Sequence, residues 1–202
     1  EEIRDTVLTV SMAGTLTTAL AIPSLVVQLA NRPEWIDPCA TSLNDFDTGI
    51  EDSSRPVLQF VRESMRYKVP VSGFRRSQTS DWTSVGEYDV PPGVAITTSV
   101  DALTCPLLSL ISGSAKFDPQ RWAQPAFAAK NFLFFGGKQP HACAGKPVAL
   151  VEMQMFAQML CRDYEFQVLS QETAPDRFLN LNYKDGLPMR VWRKGMRNVA
   201  AR

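Results

Sequence analysis

Between Thr6 and Asn31 the chain carries no charged side chain. An uncharged run of that length can cross a bilayer as a helix. Here, however, five threonines, two serines, Gln28, Gly14 and Pro23 interrupt it. A lipid-facing helix is rarely so rich in hydroxyls, and a helix crossing the middle of a domain, buried all round, gives the same pattern. The reading is a buried helix from about Glu2 to Ala30, kinked at Pro23, with Pro33 just beyond its end.

Residues 38–55 are polar and irregular, with Asp45, Asp47, Glu51 and Asp52. From Pro56 to Tyr67, Leu58, Val61 and Met65 fall on one side of an amphipathic helix that Pro70 stops. Residues 69–98 read as strands. Alternation from Val85 to Val90, a turn at Pro91-Pro92-Gly93, then Val94-Ala95-Ile96 predict a hairpin about that turn. Residues 106–135 read as loop with short helices. Lys146–Asp163 reads as a helix on the spacing of Val148, Val151, Met155 and Met159. Phe166–Val168 and Arg190–Trp192 read as late strands, and there is no internal repeat.

Composition narrows the class. With 45% hydrophobic and 21% charged residues the chain is globular rather than disordered. Acidic and basic residues balance at 21 each, so nothing asks for nucleic acid. Cys39, Cys105, Cys143 and Cys161 are far apart, with neither zinc-ligand nor redox spacing, and read as reduced thiols. The single histidine, His141, stands two residues before Cys143.

Four short patterns carry possible chemistry. Ala13-Gly14-Thr15-Leu16-Thr17-Thr18 lies mid-helix, where a threonine hydroxyl can take a backbone carbonyl and loosen the ladder; small-residue packing is the plainer reading. Glu63 and Arg66, three apart, share a helix face and can pair. Apolar flanks suggest that the pair is buried, which requires further partners. Arg121, in Phe117-Asp118-Pro119-Gln120-Arg121-Trp122, could supply one. Finally, the glycine-rich run Phe135–Lys146 places Cys143 just before a helix, where the dipole and free N–H groups favour a thiolate. Such a thiolate suits a haem iron, whereas a lone cysteine is otherwise a small buried hydrophobe.

In this order the four patterns resemble the cytochrome P-450 family over essentially the whole chain. The resemblance implies a mainly α fold with small β-sheets. Residues 1–202 would be the C-terminal half of that domain, the N-terminal half being absent. Its parts would be a distal helix, the Glu-x-x-Arg helix, a β-hairpin region, a meander loop, the cysteine-ligand loop and a proximal helix. It implies haem b held by Cys143. Gly14 and Thr17 would form the oxygen-activating helix, and Glu63, Arg66 and Arg121 a structural triad. His141, Arg75 and Arg76 would bind propionates, with Gly137 and Gly145 allowing close approach to the haem. The implied partners are a small apolar substrate and a reductase or ferredoxin, which Lys130, Lys138 and Lys146 would help to steer. A reduced intracellular compartment is implied, with a possible membrane anchor in a missing N-terminus. The stretch Gly73-Phe74-Arg75-Arg76 is closest to the branch containing retinoic-acid hydroxylases.

The chain departs from the family pattern at two places. Leu16 stands where the family has an acid that relays protons for dioxygen activation, and leucine carries no proton. The cysteine loop is one residue longer than usual, with Lys138-Gln139 in place of a glycine. The activity implied is a monooxygenase that inserts one oxygen atom into an apolar molecule. The alternatives are a haem-thiolate isomerase or peroxide-using enzyme, which needs no relay, and a truncated non-catalytic remnant.

Overall fold

The computed structural model describes residues 2–42, 51–70, 74–78, 80–99, 116–128, 135–136, 142–170 and 186–196; at 74–78, 97–99, 126 and 128 it describes the backbone alone. The described elements are helices α1 (Glu2–Ala30), α2 (Ile36–Ala40), α3 (Pro56–Tyr67), α4 (Pro125–Ala128) and α5 (Lys146–Asp163), with 3-10 turns at Pro33–Trp35 and Pro119–Ala123. Strands β1 (Phe74–Gln78), β2 (Thr83–Val85), β3 (Tyr88–Val90), β4 (Ala95–Ser99), β5 (Tyr164–Val168) and β6 (Met189–Arg193) form three two-stranded antiparallel sheets.

The core is where α1, α2, α3 and α5 meet. Leu25 and Leu29 of α1, Leu58, Phe60 and Val61 of α3, and Leu150, Met153 and Ala157 of α5 pack there with Cys39 of α2. α3 is the most deeply placed helix. Pro56 occupies its first turn, where a missing N–H costs nothing. The three apolar positions read from its sequence, Leu58, Val61 and Met65, are all buried. Phe117 stacks edge-on against Phe60 and Tyr67, at 5.3 and 5.5 Å between ring centroids. The Arg32 guanidinium, just past α1, lies 3.8 Å from the Phe117 ring centroid, a cation–π contact that ties the end of α1 to this cluster.

Four sequence expectations are corrected. α1 has the expected extent and runs unbroken through Pro23, but it is not buried all round. Every residue from Glu2 to Leu16 is exposed, and only the stretch from Thr18 onward packs into the core. A pattern of apolar residues sets what a helix can bury, whereas the elements packed against it set what it does bury. Among the described residues α1 is the one helix long and apolar enough to cross a membrane, by length and composition alone.

The hairpin is also placed differently. β3 pairs with β2 through a turn at Gly86-Glu87, and β4 pairs with β1. Gly86 has φ +61°, as the first central position of a tight hairpin turn requires. Pro91 and Pro92 have no N–H to continue a ladder, so β3 ends before them.

α5 has the expected boundaries but the opposite face inward. Val148, Met155 and Met159 are exposed, whereas Leu150, Met153, Ala157, Leu160 and Cys161 are buried. Apolar residues surround this helix, and the buried glutamines at 154 and 158 disguise the inner face. Gln154 Nε2 donates to the Leu150 carbonyl and Gln158 Nε2 to the Ala40 carbonyl. Lastly, Pro38–Ala40, read as irregular, belong to α2, where Pro38 sits in the tolerant first turn.

Candidate functional site

Glu63 is the most densely hydrogen-bonded of the residues singled out from the sequence. It is fully buried on α3, as is Arg66 one turn on. Arg66 Nε and Nη2 donate to the two carboxylate oxygens at 2.8 and 2.7 Å, a forked ion pair. A buried pair alone does not offset its own desolvation, and the remaining acceptor capacity of Glu63 is filled from the segment 116–122. The Asp118 N–H donates to Oε1 at 2.9 Å and Trp122 Nε1 to Oε2 at 2.9 Å. Arg121 Nε lies 3.3 Å from Oε1. It donates to the Asp118 carbonyl, while Arg121 Nη2 donates to the Lys116 carbonyl at 2.6 Å. Glu63, Arg66 and Arg121, singled out from the sequence, therefore lie together. The amide of Asp118 and the indole of Trp122 were not anticipated as partners. The only sequence cue for the latter is that a buried tryptophan must place its N–H somewhere.

Cys143 lies three residues before α5 and is exposed. Its N–H donates to the Phe135 carbonyl at 2.8 Å, which draws the two described ends of the cysteine loop together. The Cys143 carbonyl in turn accepts from the Lys146 N–H at 3.3 Å, and Gly145 is the N-cap. The sulfur thus stands beside the positive end of an 18-residue helix. A Cβ at Gly145 would come 3.8 Å from Sγ, so glycine there leaves that side of the sulfur open. Gly136 takes φ +83°, which favours glycine at the turn following Phe135. His141 and Gly137 lie outside the described residues, as do Lys130 and Lys138.

Lys146 is not a free cation. Its Nζ is 2.9 Å from Glu51 Oε1, and Arg62 Nη2 is 3.5 Å from Glu51 Oε2. Arg62 of α3 also donates to Ser53 Oγ and stands over the Trp122 ring. Burial pulls the Arg62 guanidinium below its ordinary pKa, and the Glu51 charge opposes that shift. Glu51 therefore links α3 to the first turn of α5, a link the sequence did not suggest.

On α1, Gly14 is exposed and Thr17 half-buried. Thr17 Oγ1 donates to the Ala13 carbonyl at 2.8 Å. Thr6 and Thr9 make the same bond to carbonyls four residues back, and the helix remains continuous, so this bond does not open the ladder. Leu16 is 43% exposed. Arg75 and Arg76 sit in β1 opposite Thr98 and Thr97, and their side chains lie outside the described residues.

A family model described as Cytochrome P450 matches residues 1–187. Among curated proteins the chain is similar to a cholesterol 22-hydroxylase of Paris polyphylla, 27% identical over 95% of this chain and 42% of that protein. It is also similar to a cytochrome P450 of family 716, subfamily AD, from Citrus sinensis, 26% identical over 86% of this chain and 37% of that one. Among solved structures it is similar to a retinoic-acid-bound cyanobacterial cytochrome with a TM-score of 0.74. That match has 21% identity and covers 92% of this chain and 44% of the other, a likeness of fold. The chain spans about two fifths of the length of the curated relatives it matches.

Proposed function

This chain belongs to the cytochrome P450 family, and on that premise we propose that the whole protein is a haem-thiolate monooxygenase acting on an apolar small molecule. We read residues 1–202 as the C-terminal portion of the family's domain, from the order of the four motifs along the chain. The observation that carries the reading is Cys143, an exposed, unpaired thiol next to the N-terminus of α5. These residues fit a haem held by a single thiolate, since one sulfur is presented with a glycine beside it. When bound, a thiolate-ligated haem supplies the oxygen-activating chemistry.

The chain's own residues have distinct tasks in this reading. Cys143 would donate the ligand sulfur, three residues before the start of α5. Its N–H bond to Phe135 fixes the position of the sulfur. Glu63, Arg66 and Arg121 lock the segment 116–122 onto α3. Thr17 and Gly14 form the distal stretch of α1. The Thr17 hydroxyl, while donating to Ala13, keeps its lone pairs to accept a proton donor such as water. His141, Arg75 and Arg76 are assigned to the propionates of haem b, and Gly137 and Gly145 to close approach. The electron donor is a reductase or a ferredoxin. The cholesterol 22-hydroxylase relative supports a bulky apolar substrate.

Leu16 favours a second reading. With no acid at that position, an isomerase or a peroxide-using enzyme needs no proton from α1. Turnover with NADPH and a reductase, set against turnover with a lipid hydroperoxide, separates the two. The ligand assignment is tested by Cys143→Ala in the whole protein. Loss of the thiolate-type spectrum of the reduced, CO-treated protein is expected, and its retention would refute the assignment.

A further inference from the structure

The start of α5 is poorly held by its own sequence. Its N-cap is Gly145, so no side chain closes the first turn, and no acidic residue stands in that turn to meet the positive end of the helix. A cation, Lys146, stands there instead. Between 143 and 148 no residue is buried, and the first buried residue of the helix is Leu150. Yet this is the stretch that carries the Cys143 sulfur. Besides the bond from the Cys143 N–H to Phe135, it is tied down by Lys146, whose Nζ stands 2.9 and 3.1 Å from the two carboxylate oxygens of Glu51.

Glu51 is itself held. Its Oε2 lies 3.5 Å from Arg62 Nη2, and the Arg62 side chain is only 12% exposed. Arg62 Nη1 donates to Ser53 Oγ at 2.9 Å, and Gln59 Nε2 donates to the Ser53 carbonyl at 2.7 Å. The Arg62 guanidinium lies 5.8 Å from the centre of the Trp122 ring, and Trp122 donates to Glu63. One carboxylate thus joins the cation at the head of α5 to a guanidinium fixed on α3.

We propose that Glu51 is a positioning residue for Cys143. Acting through Lys146, it holds the first turn of α5, and with it the cysteine, in place against α3. The proposal deepens the reading of Cys143 as the ligand sulfur and rests on it.

The magnitudes set what such a residue does. A half-exposed ion pair contributes little to global stability, so losing Glu51 leaves the core intact. The same small energy decides the behaviour of an uncapped helix end, which opens locally at far less than the free energy of global unfolding. The coupling to the cysteine is short. The Lys146 N–H donates to the Cys143 carbonyl at 3.3 Å, so a displaced Lys146 displaces Cys143. Without Glu51 the Lys146 charge is also left uncompensated beside the positive helix end, where a cation is unfavourable.

The test is amide hydrogen exchange of the whole protein, mapped by mass spectrometry, beside the spectrum of the reduced, CO-treated protein. Glu51→Gln should speed exchange at residues 143–149 by about two- to fivefold and leave residues 160–163, at the far end of α5, unchanged. Lys146→Gln should give the same pattern, and Glu51→Gln should add nothing in that background. The thiolate-type spectrum of the Glu51→Gln protein should be lost faster on mild warming, again with no added effect once Lys146 is replaced. Asp163→Asn breaks an ion pair at the other end of α5 and should leave both residues 143–149 and the spectrum as they were. Equal acceleration along the whole helix, no acceleration at 143–149, an undiminished effect in the Lys146→Gln background, or a spectrum lost at the unsubstituted rate would each overturn the proposal. An unsubstituted protein with no thiolate-type spectrum would instead sink the reading of Cys143 as ligand, while the exchange pattern still decides whether Glu51 holds that turn.

Discussion

The indole Nε1 of Trp122 donates to the Glu63 carboxylate at 2.9 Å, joining two residues 59 positions apart inside the core. With the Asp118 N–H and the forked Arg66 pair, it gives a buried carboxylate its full set of donors.

Removing either partner has a defined consequence. Glu63→Gln turns an acceptor oxygen into a donor facing donors and leaves Arg66 as an uncompensated buried charge. The expected loss is about 3–5 kcal/mol of stability, read from urea unfolding of the chain. Trp122→Phe keeps an aromatic ring but removes the N–H-bearing half of the indole, deleting one bond to a charged acceptor and some buried volume, with an expected loss of at least about 1.5–3 kcal/mol. Because both changes act on one network, the double variant should lose less than the sum of the two; strict additivity would contradict the shared network.

Gly14 is exposed in the middle of α1, and a Cβ built there meets nothing within 4 Å. Gly14→Ala should therefore raise stability by about 1 kcal/mol through helix propensity alone. Helix content by circular dichroism during thermal unfolding is the measurement, and a loss of stability would show that α1 needs the glycine for packing.

Leu16→Asp tests the missing acid. The position is 43% exposed, so the charge remains solvated and the expected cost is about 0.5 kcal/mol of helix propensity. In the whole protein the change should raise reductase-driven turnover if the monooxygenase reading holds; no gain would favour the peroxide-using reading.

Ser54 donates to the Asp52 carboxylate through both its backbone N–H and its hydroxyl, and these bonds hold the Asp52 carboxyl below its ordinary pKa. The folded value is the lower one. The stabilisation is therefore fully present above the ordinary aspartate pKa, about 3.9, and is lost as pH falls through the folded value. The Ser54 amide resonance should titrate below pH 4, and Asp52→Asn should remove that titration.

How much was legible in the sequence differs element by element. The ends of α3 and α5 could be read because prolines and caps are local devices. The face of α3 could be read because one apolar stripe stands out, whereas α5 is apolar all round and its buried face depends on α1, α2 and α3. The extent of α1 followed from its uncharged run, but its exposure depends on which elements lie beside it. The turn chemistry near Pro91 was visible, yet β4 chose β1, a pairing that no local pattern encodes. At the site, the spacing of three between Glu63 and Arg66 announced their pair, while Asp118 and Trp122 reach Glu63 across more than fifty residues. Glu51 and Lys146 likewise carried no spacing cue, since their meeting is a tertiary event.

The bond from the Cys143 amide to the Phe135 carbonyl has a consequence for the length of the chain between them. It closes the intervening stretch into a ring at its base, so an inserted residue lengthens the perimeter without displacing the anchor. By loop-closure entropy one added residue costs on the order of 0.1 kcal/mol. The extra position at Lys138-Gln139 is thus affordable in length, provided that the two anchoring groups stay in register.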